Sequence, residues 1–142
     1  MNIQWIEARI AEEQERRQRE DNLLKKMPSA LEELYDNLKE CVDFYKAAFG
    51  PRSATIQLGA GRLRIEVREE VDGKWAGRAE ILVANDFSIP GFRIERGGEP
   101  YLIGVGVLAG DKFSYRDGDD YLTIEDLTRR ILDPVLFPKL VA

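Results

Sequence analysis

The densest run of side chains able to do chemistry is DGDDYLTIED, residues 117–126. Clustered carboxylates invite a calcium reading. A twelve-residue calcium loop opening at Asp117 needs glycine where Leu122 stands and glutamate where Thr128 stands, so that pattern fails at both positions. The reading that remains is a polar turn followed by a helix. Thr123 serves as N-cap and Asp126 as the third-position carboxylate, with acidic groups suiting the positive end of the helix dipole. Adventitious divalent-cation binding at Asp119 and Asp120, or an acidic docking face, stands as the alternative.

Other reactive types are sparse. The chain contains no histidine, which excludes Ser–His–Asp and Cys–His catalysis and His-ligated zinc. Paired carboxylates can run acid–base chemistry without it, but the spacing of Asp86, Asp119, Glu95 and Glu80 selects no pair. LGAGRL (58–63) carries a G-x-G with neither a third glycine nor a following helix, so it reads as a hairpin turn rather than a phosphate cradle. The single cysteine, Cys41, permits no internal disulfide. In line with Leu34 and Leu38, it reads as a buried, inert thiol. Arg62, Arg64, Arg68, Arg78 and Arg93 alternate with Glu66, Glu80 and Glu95. A nucleic-acid platform wants basic residues with interleaved aromatics and few acids, and the net charge of −5 also opposes phosphate binding. The expectation is no nucleic-acid partner, no cofactor and no metal.

The elements that must position these groups follow from hydrophobic period. Ile3, Ile6 and Ile10 step by three and four, with Trp5 widening the face. Leu24, Met27, Leu31, Leu34, Leu38, Cys41 and Tyr45 resume the same stepping. Between them no large apolar residue occurs from Ala11 to Asn22, and Glu13, Arg17 and Glu20 fill the frame positions. Glu12–Arg16, Glu13–Arg17 and Glu15–Arg19 are i,i+4 pairs, each stabilising a helix by about 0.2–0.5 kcal/mol. The stretch is therefore helix without a buried face. Pro28, with Ser29 and Glu32 spaced as a capping box, places a break or kink there. A single long helix bent at Pro28 is the alternative. Gly50–Pro51 ends the helical half.

From residue 53 the period becomes two. Leu63, Ile65 and Val67 alternate with charges, and further strands run through Ile81, Ile94, Ile103 and Phe113. Short links imply an antiparallel meander. EVDGK suggests a three-residue loop with Gly73 in the left-handed position, pairing Glu66 with Arg78, Arg64 with Glu80 and Ile65 with Ala79. Ile124, Leu127, Ile131 and Leu132 form a last helix stopped by Asp133–Pro134. The apolar tail VLFPKLVA then packs on the body or on a partner.

The fold class expected is α+β: two N-terminal helices, the first an extended or projecting arm, a curved antiparallel meander of about five or six strands, and a C-terminal helix packed on the sheet. Residues 1–27 form the charged helical arm and residues 28–142 a single α+β domain. Composition, 44 % hydrophobic and 33 % charged, suits a folded domain. No apolar run reaches the length of a membrane span and no signal-peptide pattern opens the chain, so the expected location is cytoplasmic, off the membrane.

Ile3, Trp5, Ile6 and Ile10 are the candidate partner-binding residues. Either the first helix folds back and buries them on its own chain, or they dock on a second subunit or another protein. The polar stretch, about 20 Å long as helix, favours the second. The functional expectation is a non-enzymatic interaction or assembly module, oligomerising or docking through its N-terminal helix. The alternative is a small-molecule binder or carboxylate-based enzyme with a pocket between sheet and helices near Trp75, Phe92 and Tyr101.

Overall fold

The computed structural model describes residues 1–86, 88–110 and 112–140. One helix, α1 (Gln4–Phe49), leads into seven strands, β1 (Ala54–Gly59), β2 (Arg62–Val71), β3 (Lys74–Asp86), β4 (Gly91–Glu95), β5 (Tyr101–Leu108), β6 (Lys112–Asp117) and β7 (Asp120–Leu122), and then into α2 (Ile124–Leu136). The architecture is α+β with an antiparallel sheet.

The break expected at Pro28 is absent. Residues 4–49 form one α-helix with Pro28 inside it, so the two N-terminal helices are one. Proline in a helix interior removes a hydrogen bond and costs about 3 kcal/mol. Packing outweighs that cost here. Met27, Ala30, Leu31, Leu34, Leu38 and Val42 are all buried on one side of α1, and a break would misalign that face. Pro28 itself is exposed, so the carbonyl it leaves unpaired can reach water. Ser29 and Glu32 lie mid-helix, where no capping box forms.

The sheet is a meander in strict sequence order, β1 to β7, every neighbour antiparallel. It has one strand more than expected, because Asp120–Leu122 pairs with β6 just before α2. Leu63, Ile65, Val67, Ile81, Val83, Phe92, Ile94, Ile103 and Tyr115 turn to the helices and are buried. From α2, Leu127, Ile131, Leu132, Val135 and Leu136 close the core.

The β2–β3 hairpin corrects the expected register. Val71 pairs with Lys74, leaving a two-residue loop in which Asp72 and Gly73 both have positive φ, 52° and 76°. That geometry belongs to a type I′ turn, whose twist suits two-residue hairpins. Glu66 faces Glu80, Ile65 faces Ile81, and Arg78 is the extra residue of a bulge between the Val67–Ala79 and Arg68–Gly77 pairs. Without the bulge the shorter loop would set Val67 against Arg78 and mix the faces. The bulge restores the apolar layer and frees Arg78 to donate to the carbonyls of Val135 and Leu136 at the end of α2. Arg64 still reaches Glu80, diagonally, at 2.6 Å.

The C-terminal helix does not stop at Asp133–Pro134. It continues through Pro134 to Leu136 because Val135 and Leu136 are core residues. Arg129 and Arg130 are therefore mid-helix, and no basic residue occupies its last turn. Beyond it, Phe137 sets its ring edge-on to Tyr45, 5.7 Å between centroids, while Leu140 is exposed. The last two tail residues, 141 and 142, lie outside the described residues.

Candidate functional site: an apolar tip on an ion-paired shaft

The N-terminal half of α1 is helical for local reasons alone. Asn2 Oδ1 accepts from the Gln4 amide at 2.9 Å and covers one free N–H at the helix start. Along the solvent-bathed stretch, Arg9 pairs with Glu12 at 3.0 Å, Arg16 with Glu13 at 2.7 Å, Arg17 with Glu13 at 3.1 Å, and Arg16 with Glu20. Gln18 donates to Asn22. Of the pairs read from sequence, Glu13–Arg17 is present. Arg16 turns to Glu13 and Glu20 rather than to Glu12, which takes Arg9. Two arginines converge on Glu13: hydrogen bonds from Arg16 and then Arg17 hold its carboxyl at about 2, far below the usual carboxylate value.

The four residues singled out for partner binding sit at the end of this shaft. Ile3 is the N-cap residue, and Trp5, Ile6 and Ile10 lie in the first turns. They are 52 %, 67 %, 42 % and 51 % exposed, in that order. The fold-back that would have buried them against their own body does not occur. On α1 burial begins at Met27, with Leu23 and Leu24 half-buried just before it. Helix α1 has 46 residues and is about 70 Å long at 1.5 Å per residue. A body of this chain length is only about 30–40 Å across. The tip thus stands clear of it.

The remaining candidates are placed separately. Asp117 and Asp120 bind Arg130, at 2.9 and 3.5 Å, and Thr123 with Asp126 forms the capping box. Asp117, Asp120 and Asp126 are thereby held in a turn and a cap. Among the described residues no group of three potential ligands is arranged to hold a metal ion. Glu80 is held by Arg64, Glu95 by Arg93 at 3.4 Å, and Asp86 by Ser88 at 2.6 Å. Each carboxylate has its own local partner. Ala60–Gly61 is the β1–β2 turn, with Gly61 at φ 70°.

Cys41 differs from its expected place. It is exposed, and Val42 occupies the buried position instead. A straight helix drifts by about 20° per heptad against a strict seven-residue frame, so by residue 41 the buried stripe has moved on by one. Cys41 lines an apolar groove of about 630 Å³ between α1 and α2, with Phe44, Phe49, Leu132, Leu136 and Phe137. Partial burial raises its thiol above the ordinary cysteine value, which keeps it protonated near neutral pH. Sequence periodicity missed this groove because it is built by two distant segments, and the exposed Phe44 was the only local sign of it. Near the other expected pocket, Phe92 is fully buried and stacked on Tyr115 at 6.2 Å between centroids. Trp75 lines an adjoining cleft that shares Tyr45, Phe49 and Phe137 with the α1–α2 groove.

No helix among the described residues is long and apolar enough to cross a membrane. Compared with known proteins, the chain matches no family model, no curated protein and no solved structure.

Proposed function

We propose that this chain is a non-enzymatic protein-interaction or assembly module that docks through the N-terminal part of α1. One observation carries the reading: four large apolar side chains, Ile3, Trp5, Ile6 and Ile10, stay in water at the end of a helix whose shaft makes no core contact. Desolvating such a side chain completely is worth about 1.5–3 kcal/mol, and their present exposure leaves about half of that to be gained on docking. The shaft sets the reach, since its ion pairs keep the tip helical before a partner arrives and reduce the ordering cost of binding.

The test is the size of the native assembly. Isolated from its source, the full chain is expected in a complex heavier than its own 16.2 kDa. Replacing Ile6 and Ile10 together by Asp is expected to release it without changing the thermal midpoint of the body. A native complex that keeps its size in that variant refutes the reading.

A second reading is a small-molecule binder or carboxylate enzyme. The α1–α2 groove is what favours it, because its volume and its exposed Phe44 and Phe49 suit an apolar ligand. Loss of ligand binding on Phe44→Asp, with the Ile6/Ile10 variant unaffected, would select it over the docking arm.

A further inference from the structure

We propose that the partner of the arm is a second copy of this chain, and that the two arms pair antiparallel about a two-fold axis near residue 15. This rests on the docking role just proposed for Ile3, Ile6 and Ile10 and adds partner, orientation and register.

The argument starts from the heptad frame. Residues 3, 10, 17 and 24 occupy one seam position and 6, 13, 20 and 27 the other, a spacing of three and four that runs unbroken through α1. In antiparallel pairs each first-seam residue meets a second-seam residue of the other helix. Sliding one arm against its copy by whole heptads gives a few such registers. In one of them, Ile6 meets the half-buried Leu24 of the other copy, and Ile3 stops at the edge of that copy's body, where Met27 is already covered. At the centre Glu13 meets Arg17, twice by symmetry. The two Glu13–Arg17 layers thus meet as opposite charges, and Ile6 meets the apolar Leu24 at both ends, while Ile10 faces Glu20.

The competing arrangements fail on the same residues. Slid one heptad toward the tips, Ile3, Ile6 and Ile10 would face Glu20, Arg17 and Glu13. Slid one heptad the other way, Ile10, Ile6 and Ile3 would all need residues their own body covers, Met27, Leu31 and Leu34 at 2 %, 2 % and 0 % exposed, whereas the favoured register loses only the contact at Met27. A parallel pair would stack Glu13 on Glu13, Arg17 on Arg17 and Glu20 on Glu20, three repulsive layers. The favoured register uses the whole free arm, roughly three and a half heptads.

The side chains in place already suit it. Arg17 Nε sits 3.1 Å from Glu13 of its own chain. At the axis the two Glu13–Arg17 pairs would form a ring of four alternating charges. Glu20, the one charged residue opposite an isoleucine (Ile10), is held aside by Arg16. The two Arg16 side chains approach near the axis, and each carries Glu13 and Glu20 as counter-ions. Trp5 lies off the seam and is left for the flank.

The experiment uses the purified full chain with Cys41→Ser, which removes its only thiol. Light scattering is expected to give twice the chain mass. A single Gln14→Cys, beside the axis, is expected to be linked into dimers by a short bismaleimide. A single Ile3→Cys is not, since the two copies of that position lie about 36 Å apart along the shaft. Glu13→Arg or Arg17→Glu alone is expected to weaken the dimer at least tenfold, and the two together to restore it. Linking through Ile3→Cys but not Gln14→Cys means a parallel pair and overturns the inference, as does a dimer indifferent to the charge exchange. A purified chain that stays monomeric overturns it too, while an arm-dependent native complex would still uphold the docking role with a foreign partner. A dimer that survives Ile6→Asp with Ile10→Asp overturns this arrangement and shows that the arm is not what joins the copies.

Discussion

Tyr115 and Arg78 show how single side chains tie the elements together. The Tyr115 hydroxyl donates to Glu33 at 3.0 Å across the sheet–helix interface. Burial pushes its phenol well above the ordinary 10.0, with the Glu33 charge and then the hydrogen bond adding to the shift. The folded chain therefore holds this proton more tightly than the unfolded one. The stabilisation is whole below pH 10 and is lost as pH rises beyond it. Tyr115→Phe is expected to cost about 1 kcal/mol at pH 8, where it removes one hydrogen bond. It should also flatten the fall in stability above pH 10. Urea midpoints of both proteins at pH 8 and pH 11 check this, and parallel losses would count against it. Arg78 answers a different need, the unpaired carbonyls at the end of α2. Its role was hidden in the sequence because pairing charges across the hairpin assigned it to Glu66. The preference of Asp72–Gly73 for a two-residue turn set another register, and only the bulge makes that register compatible with the core.

At the scale of elements, α1 is one helix with two kinds of support. Its first half stands on ion pairs and propensity, its second half on burial. Pro28 lies just inside the buried half and opposes the helix there. Pro28→Ala is therefore expected to stabilise the protein by about 1–3 kcal/mol, since the lost hydrogen bond returns and proline's penalty goes. Denaturant unfolding checks this, and a neutral or destabilising result would mean that the proline ring itself is needed at this position. The two-helix expectation applied a sound local rule about proline. The single-helix alternative had the stripe of Leu24, Met27 and Leu31 across the proline in its favour, and burial of that stripe by the body outweighs the local rule. Asp133–Pro134 repeats the lesson on α2, where Val135 and Leu136 carry the helix past its local stop.

For the whole molecule, the buried residues of α1 begin at Met27, and none of the residues before it is buried. Cutting off residues 1–22 is expected to leave the thermal midpoint of the purified monomer within a few degrees of the full chain. Hydrogen exchange should show the matching gradient along one continuous helix, with amides of residues 4–22 exchanging fast and those of 30–48 protected to the level of global unfolding. Equal protection along α1 in a monomer would mean that the arm is packed. Just before Met27, Leu23 and Leu24 are half-buried, and Leu24 packs against the core.

Local chemistry was readable without coordinates. The change of period near residue 53, the helical but faceless stretch 11–22, the Thr123–Asp126 cap and the apolar tip all follow from residue type and spacing, because neighbours in sequence decide them. The continuity of α1 through Pro28, the seventh strand, the β2–β3 register, the exposure of Cys41 and the groove beside it were decided by tertiary structure. Each is a contest between a local preference and burial of a shared face. The area buried by such a face is set by residues far apart in the chain, so no short window of sequence contains the balance.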